Sequence, residues 1–251
     1  GIQKLLTTHP LEIFPGYLNE LAEMIEGAQF RVDVLCAYPQ HGAFSSPKCW
    51  DQLESAIEST LKKKQISTRF IFSNAEQRIG ADFNQFDTAD EDWQGWFLAN
   101  REKLSDYLQD HSSVCEKHGL DKSSPDQALQ GFADWLWFQD ECEKATMNRW
   151  KTVDMDKARN ASIYESGDLM PLFAWIVDTD REAIFTFMTY NHHGIGAAFR
   201  TTDKRIVDNL FSLVERYERR ARPFDGNSIS QEKGRDIVNE IGKTMANRMD
   251  S

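Results

Sequence analysis

The residues able to do chemistry in this chain are spread along it, and few fall into a known motif. His192 and His193 stand just before Gly194 and Gly196. Two imidazoles can donate and accept protons, and glycine backbone N–H groups can hold an anion. The glycines do not open a helix directly after a strand at nucleotide-loop spacing. His111, Cys115 and His118 are spaced i, i+4, i+7, and Cys142 lies on the next expected helix. Such a nitrogen and sulfur set suits tetrahedral zinc. The spacing is not that of a short zinc motif, so the expectation is a plain helix face, with no metal and no cofactor. Cys36, His41 and Cys49 surround the end of the first expected strand. A thiol–imidazole nucleophile needs such a pair. Cys36, however, alternates with core-facing residues and is expected to be a small buried hydrophobe. The chain has no Gly-x-Ser-x-Gly, no phosphate-binding loop of the Walker type and no His-Glu-x-x-His.

The elements that must position these groups follow from periodicity. Pro10 and Pro15 punctuate an irregular lead. Residues 17–28 read as a helix with Leu18, Leu21, Ile25 and Ala28 on one face. Residues 30–38 read as a strand in which Val32, Val34, Cys36 and Tyr38 alternate with Arg31, Asp33 and Leu35. A helix over 47–64 starts at Pro47, capped by Ser45 or Ser46, and buries Trp50, Leu53, Ile57 and Leu61. A strand over 67–73 follows. Strand, helix, strand in this order predicts a parallel pair.

Leu172–Val177 and Ala183–Met188 are near-continuous apolar runs, as in strands buried on both faces. Thr179-Asp180 between them suits a hairpin turn. Thr202 or Asp203 caps a helix from about Lys204, with Ile206, Leu210, Leu213, Val214 and Tyr217 on one face. Residues 81–160 are expected to be a Trp-rich helical insertion. Its tryptophans, among them Trp93, Trp96, Trp135 and Trp150, either pack on the sheet or line a pocket for a planar ligand. The expected organisation is a single α/β domain over 1–222 and a C-terminal helical extension over 223–251. The expected fold is a mixed central sheet with helices on both faces.

The order of helix 17–28, strand 30–38 ("LAEMIEGAQFRVDVLCAYP"), helix 47–64, strand 67–73 and the strand ending at Asp178 with its hairpin resembles one half of the phospholipase D-like fold. That family's signature is His-x-Lys-x-x-x-x-Asp, and the resemblance places it on 171–178. If Asp178 is its Asp, Pro171 stands at the His position and Phe173 at the Lys position. The family's chemistry needs the His to attack phosphorus and the Lys to hold phosphate oxygens. The resemblance therefore implies a catalytically dead copy that senses a ligand or mediates regulatory assembly. The alternative is a phosphodiesterase or nuclease with relocated histidines, for which His41, His192 and His193 are the candidates. The resemblance also implies pairing with a second half, hence a homodimer or larger assembly.

In open α/β sheets ligands bind outside the carboxyl ends of the strands. That rule points to Tyr38, Gln40, His41, Ser73 and Asn74 as ligand-binding residues, with Trp93, Trp96 or Trp135 closing the site and His192 and His193 contributing from their loop. No catalytic residue is assigned. The ligand expected there is small and contains phosphate.

Composition bounds the partners. The 251 residues are 40% hydrophobic and 12% aromatic, enough for a sizeable core. No apolar run approaches the roughly 20 residues that span a bilayer, so no membrane partner is expected. Four scattered cysteines suggest a reducing, cytoplasmic setting. A net charge of -11 argues against a general nucleic-acid surface, leaving room for a local basic patch. After the central block come Arg216, Arg219, Arg220 and Arg222, then a break at 223–226.

Overall fold

The structure is a computed structural model that describes residues 7–40, 43, 46–63, 65–78, 140, 142–152, 161–168, 170–179, 181–187 and 197–226. The chain divides into two compact units. One contains 1–74, 143–189 and 193–226, and the other contains 75–142, 190–192 and 227–251.

The first unit is built on a mixed sheet with helices on both faces. Its described strands are β1 (Thr8–Pro10), β2 (Arg31–Cys36), β3 (Ser67–Ser73), β4 (Ala161–Ser166), β5 (Leu172–Val177), β6 (Glu182–Phe187), β7 (Ala198–Thr201) and β8 (Arg222–Pro223). They run in the order β1-β7-β6-β5-β2-β3-β4-β8. β2, β3 and β4 are parallel neighbours, and the remaining pairs are antiparallel. The helices are α1 (Tyr17–Glu26), α2 (Pro47–Leu61) and α3 (Lys204–Glu218), together with a helical segment over 143–152.

Alternation along the central strands separates two cores. Val32, Val34 and Cys36 of β2, Phe70 and Phe72 of β3, and Phe173, Trp175 and Val177 of β5 face α1, α2 and residues 143–152. Leu35, Ile71, Ala174, Ile176 and Phe185 face α3 through Val207, Leu210 and Val214. Because both faces are covered, these strands read as nearly unbroken apolar runs. Residues 143–152 fall inside the range expected for the insertion, yet they belong to this unit. Met147 and Trp150 are fully buried in its core, with Trp150 ring centroids 5.2 Å from Phe70, 6.2 Å from Phe72 and 6.5 Å from Trp50. The aromatic stacking makes Trp150 a packing residue.

Local chemistry departs from the sequence reading at two places. Ser46 is the N-cap of α2 but its side chain makes no capping bond, whereas Asp203 accepts from the Arg205 N–H at 2.9 Å and caps α3. The β5–β6 turn places its left-handed residues at Asp178 (φ 53°) and Thr179 (φ 52°), one position earlier than expected. Two successive residues in that region match the twist of a tight hairpin. In the second unit, residues 75–78 are helical, and Arg78 pairs with Asp140, both buried.

Candidate functional site

β2, β3 and β4 point the same way, so their carboxyl ends form one edge of the sheet. Four of the expected ligand residues are carried to that edge. Tyr38 is half-buried and stands edge-on to Phe173, with centroids 6.5 Å apart. Gln40 donates from Nε2 to Thr146 Oγ1 at 2.6 Å. Asn74 is half-buried, and its backbone N–H donates to the Ser166 carbonyl at 2.8 Å. Ser73 is fully buried, and its hydroxyl donates to the Asp168 carbonyl at 3.4 Å. Ser73 therefore anchors the chain beneath the edge, while Tyr38, Gln40 and Asn74 retain accessible surface.

The topology explains that split. β4 ends at Ser166, and β5 begins at Leu172 on the far side of β2. The connection between them must cross the carboxyl ends of β3 and β2. It is fastened on the way by Asp168 N–H donating to Ser166 Oγ at 3.1 Å and by Met170, which is fully buried in the α3-side core. This strap runs across the carboxyl ends of β3 and β2, with Met170 turned into the α3-side core. Thr146, Ser166 and Asp168 thus join the site from segments that carried no sequence signal for it. They arrive by a crossover, which periodicity does not encode.

Two buried groups lie just inside the edge. Burial pushes the Cys36 thiol far above its ordinary value of 9.0, and the carboxylate of Glu143 adds to the rise. Burial, with a smaller contribution from Cys36, likewise pushes the Tyr17 hydroxyl far above 10.0. Cys36 Sγ lies 3.2 Å from the Tyr38 carbonyl, to which it donates. A neutral, inaccessible thiol is a poor nucleophile, so Cys36 serves as core, in keeping with its alternation. Both groups hold their protons more tightly when folded. Their stabilising contribution is complete below the unfolded-state values and is lost as pH rises above them. Urea unfolding monitored from pH 7 to 11 is expected to show stability falling from about pH 9, and more steeply above about pH 10. Cys36→Ala should remove the first of the two declines.

Asp178 sits at the opposite edge. β5 is antiparallel to β2, so its end lies at the amino ends of β2 and β3. The Asp178 Oδ1 accepts from the Phe30 N–H at 2.8 Å, the Arg31 N–H at 3.0 Å and the Gln29 N–H at 3.2 Å. The Asp178 N–H donates in turn to the Arg31 carbonyl at 2.8 Å, and Arg181 lies 3.6 Å from Oδ2. This carboxylate clamps the entry of β2. Pro171 is exposed and Phe173 is fully buried.

His41, Trp93, Trp96, Trp135, His192 and His193 lie outside the described residues, as do His111, Cys115 and His118. Among the described residues no group of three or more His, Cys, Asp or Glu side chains could hold a metal ion. No helix of the described residues is long and apolar enough to cross a membrane. An open groove of about 480 Å³ runs between α1 and α2, where Glu23, Glu26 and Asp51 face solvent.

Beneath α3 lies a charged network that the sequence did not announce. Arg31 pairs with Asp33 through Nε at 2.7 Å and Nη2 at 3.1 Å, and Arg69 Nε meets the other side of Asp33 at 2.6 Å. Arg69 also pairs with Glu218 in the last turn of α3. Both guanidinium carbons lie 5.2 Å from the centroid of Phe211.

No protein-family model and no curated protein matches the chain. Two solved structures with similar folds illustrate the neighbourhood. One is TrmBL2, an archaeal chromatin protein whose structure shows a novel mode of DNA binding; it is 11% identical, with a TM-score of 0.43 over 89% of this chain and 58% of its own. The other is a phosphatidylserine synthase of Haemophilus influenzae Rd KW20, a phospholipase D-like superfamily member; it is 12% identical, with a TM-score of 0.41 over 96% of this chain and 44% of its own. The chain thus spans less than two thirds of either protein. The expectation against a general nucleic-acid surface, drawn from the net charge of -11, does not stand. The physical reason is that net charge sums the whole chain, whereas phosphate contacts depend on a local surface.

Proposed function

We propose that the chain is a non-catalytic phospholipase D-like module that senses a ligand or mediates regulatory assembly. The observation that carries this reading is the use of Asp178: its carboxylate is occupied by backbone N–H groups at the entry of β2, on the edge opposite Tyr38, Gln40 and Asn74. With that carboxylate clamped by backbone and with Pro171 and Phe173 at the other two positions of the resembled signature, the strand end lacks the His and Lys that phosphodiester cleavage needs. Tyr38 and Asn74 bring an aromatic ring and a carboxamide to that edge beside Gln40, whose Nε2 is held by Thr146, a set suited to holding a polar ligand and not to breaking one.

Two measurements test the reading together. The protein is expected to leave bis(p-nitrophenyl) phosphate unhydrolysed above the buffer rate. A thermal-shift screen against polar metabolites is expected to yield ligands whose shift disappears in Gln40→Ala and Asn74→Ala. Hydrolysis that is lost on substitution within 171–178 would sink the proposal, as would a ligand shift indifferent to both amide substitutions.

A further inference from the structure

We infer that the C-terminal end of α3 and the start of β8 form a sequence-independent nucleic-acid backbone surface, separate from the carboxyl edge. Residues 216–222 hold Arg216, Arg219, Arg220 and Arg222 against a single acid, Glu218. All four arginines are exposed. Glu218 does not neutralise them, because its carboxylate is taken by the buried Arg69 beneath the helix. The guanidinium groups of Arg216 and Arg219 make no hydrogen bond or ion pair among the described residues. Arg220 and Arg222 stand 3.5 Å from Asp168 and Glu165, loose contacts that leave their side chains 68% and 70% exposed.

Charge position explains why this end stands out in an acidic chain. Arg216 lies in the last turn of α3, and Arg219 is its C-cap. Cations there complement the partial negative charge of the helix end, so the fold favours them irrespective of any ligand. That effect accounts for one or two arginines. It does not account for Arg222, which lies beyond the helix on a strand at the sheet edge. The four therefore continue one exposed basic strip from helix onto strand.

The chemistry of the strip favours phosphate. Guanidinium is the planar, permanently charged donor that matches a phosphate bidentately. A protein partner would require an apolar centre within the patch, but the exposed large hydrophobic side chains among the described residues are Ile13, Phe30 and Phe187, and none lies within 216–222. An anionic membrane surface would attract each cation modestly through charge alone, and firmer attachment calls for apolar insertion beside the cations. A backbone-only contact with a nucleic acid needs neither, and it is read by salt dependence, with each phosphate contact adding about 0.9 to the log–log slope.

The test uses the whole chain and a short labelled duplex DNA of mixed sequence, followed by anisotropy across a salt series. Binding is expected at about 50 mM salt with a slope near -3.6 if all four arginines engage. The double variant Arg216→Ala/Arg219→Ala, which removes no hydrogen bond or ion pair among the described residues, is expected to lower the slope by about 2 and to weaken binding to unrelated sequences equally. Lys62→Ala, an exposed cation at the end of α2, is expected to leave both unchanged. Phosphatidylserine vesicles and polyglutamate are run as rival polyanions. No duplex binding at about 50 mM salt, a double variant that binds like the parent, or a preference for vesicles or polyglutamate would each overturn the inference.

Discussion

Asp178→Ala is expected to destabilise the sheet unit by about 3 kcal/mol without altering any chemistry. Hydrogen bonds to a charged acceptor contribute roughly 1.5–3 kcal/mol each when buried. Three backbone donors converge on Oδ1, but those of Gln29 and Phe30 are exposed and regain water when the carboxylate is removed. Discounting those two leaves about 3 kcal/mol, most of it from the half-buried Arg31 N–H and the loss of the chain entry into β2. Asp178→Asn retains an acceptor oxygen at the same place and should cost about half as much. Guanidinium unfolding checks both. Equal and negligible losses in the two variants would mean that the clamp contributes nothing. A loss confined to a catalytic readout, with stability intact, would return Asp178 to the role that the family signature gives it.

The second large effect lies under α3. Asp33 is completely buried and stands between Arg31 and Arg69. Asp33→Leu strips the buried Arg69 of its inner counter-charge and is expected to cost about 3–5 kcal/mol. Arg69→Met alone should cost less, because Asp33 keeps Arg31 and the methionine fills the space of the guanidinium stem. Asp33→Leu combined with Arg69→Met is expected to recover most of the loss, since replacing a buried ion pair by apolar side chains of similar volume is often neutral or stabilising. A urea double-mutant cycle measures the coupling. If the two losses simply add, the pair is not a unit and the account of α3 docking is wrong. The hydrogen exchange of the last turn of α3 should rise in Arg69→Met, because Glu218 loses its partner there.

The sequence by itself determined most of the first unit's elements, because burial leaves a periodic mark. α1, α2, β2, β3, β5, β6 and α3 all fall where apolar spacing places them. β3 and β5 match to the residue, as Phe70–Phe72 and Leu172–Val177 are buried on both faces and bounded by polar turns. The parallel pairing of β2 and β3 followed from the helix between them. β4 was not legible: Ala-Ser-Ile-Tyr-Glu-Ser alternates weakly and pairs only because β3 offers it an edge. β1 and β8 are two or three residues long and exist by pairing alone.

Only the tertiary structure decided how these pieces meet. The order in which β5 returns beside β2 sends Asp178 to one edge of the sheet and Tyr38, Gln40 and Asn74 to the other. The same return lays the Ser166–Leu172 connection over Ser73, burying a residue whose position at a strand end read as accessible. The pairing of Glu218 with Arg69, which takes the one acid within 216–222 away from the arginines around it, is likewise invisible in a charge count. The reason is common to all three. Periodicity reports which face of an element is buried, through interactions a few residues apart. Which elements become neighbours is set by contacts between residues far apart in sequence, such as Asp178 with Phe30 or Arg69 with Glu218, and those leave no local trace.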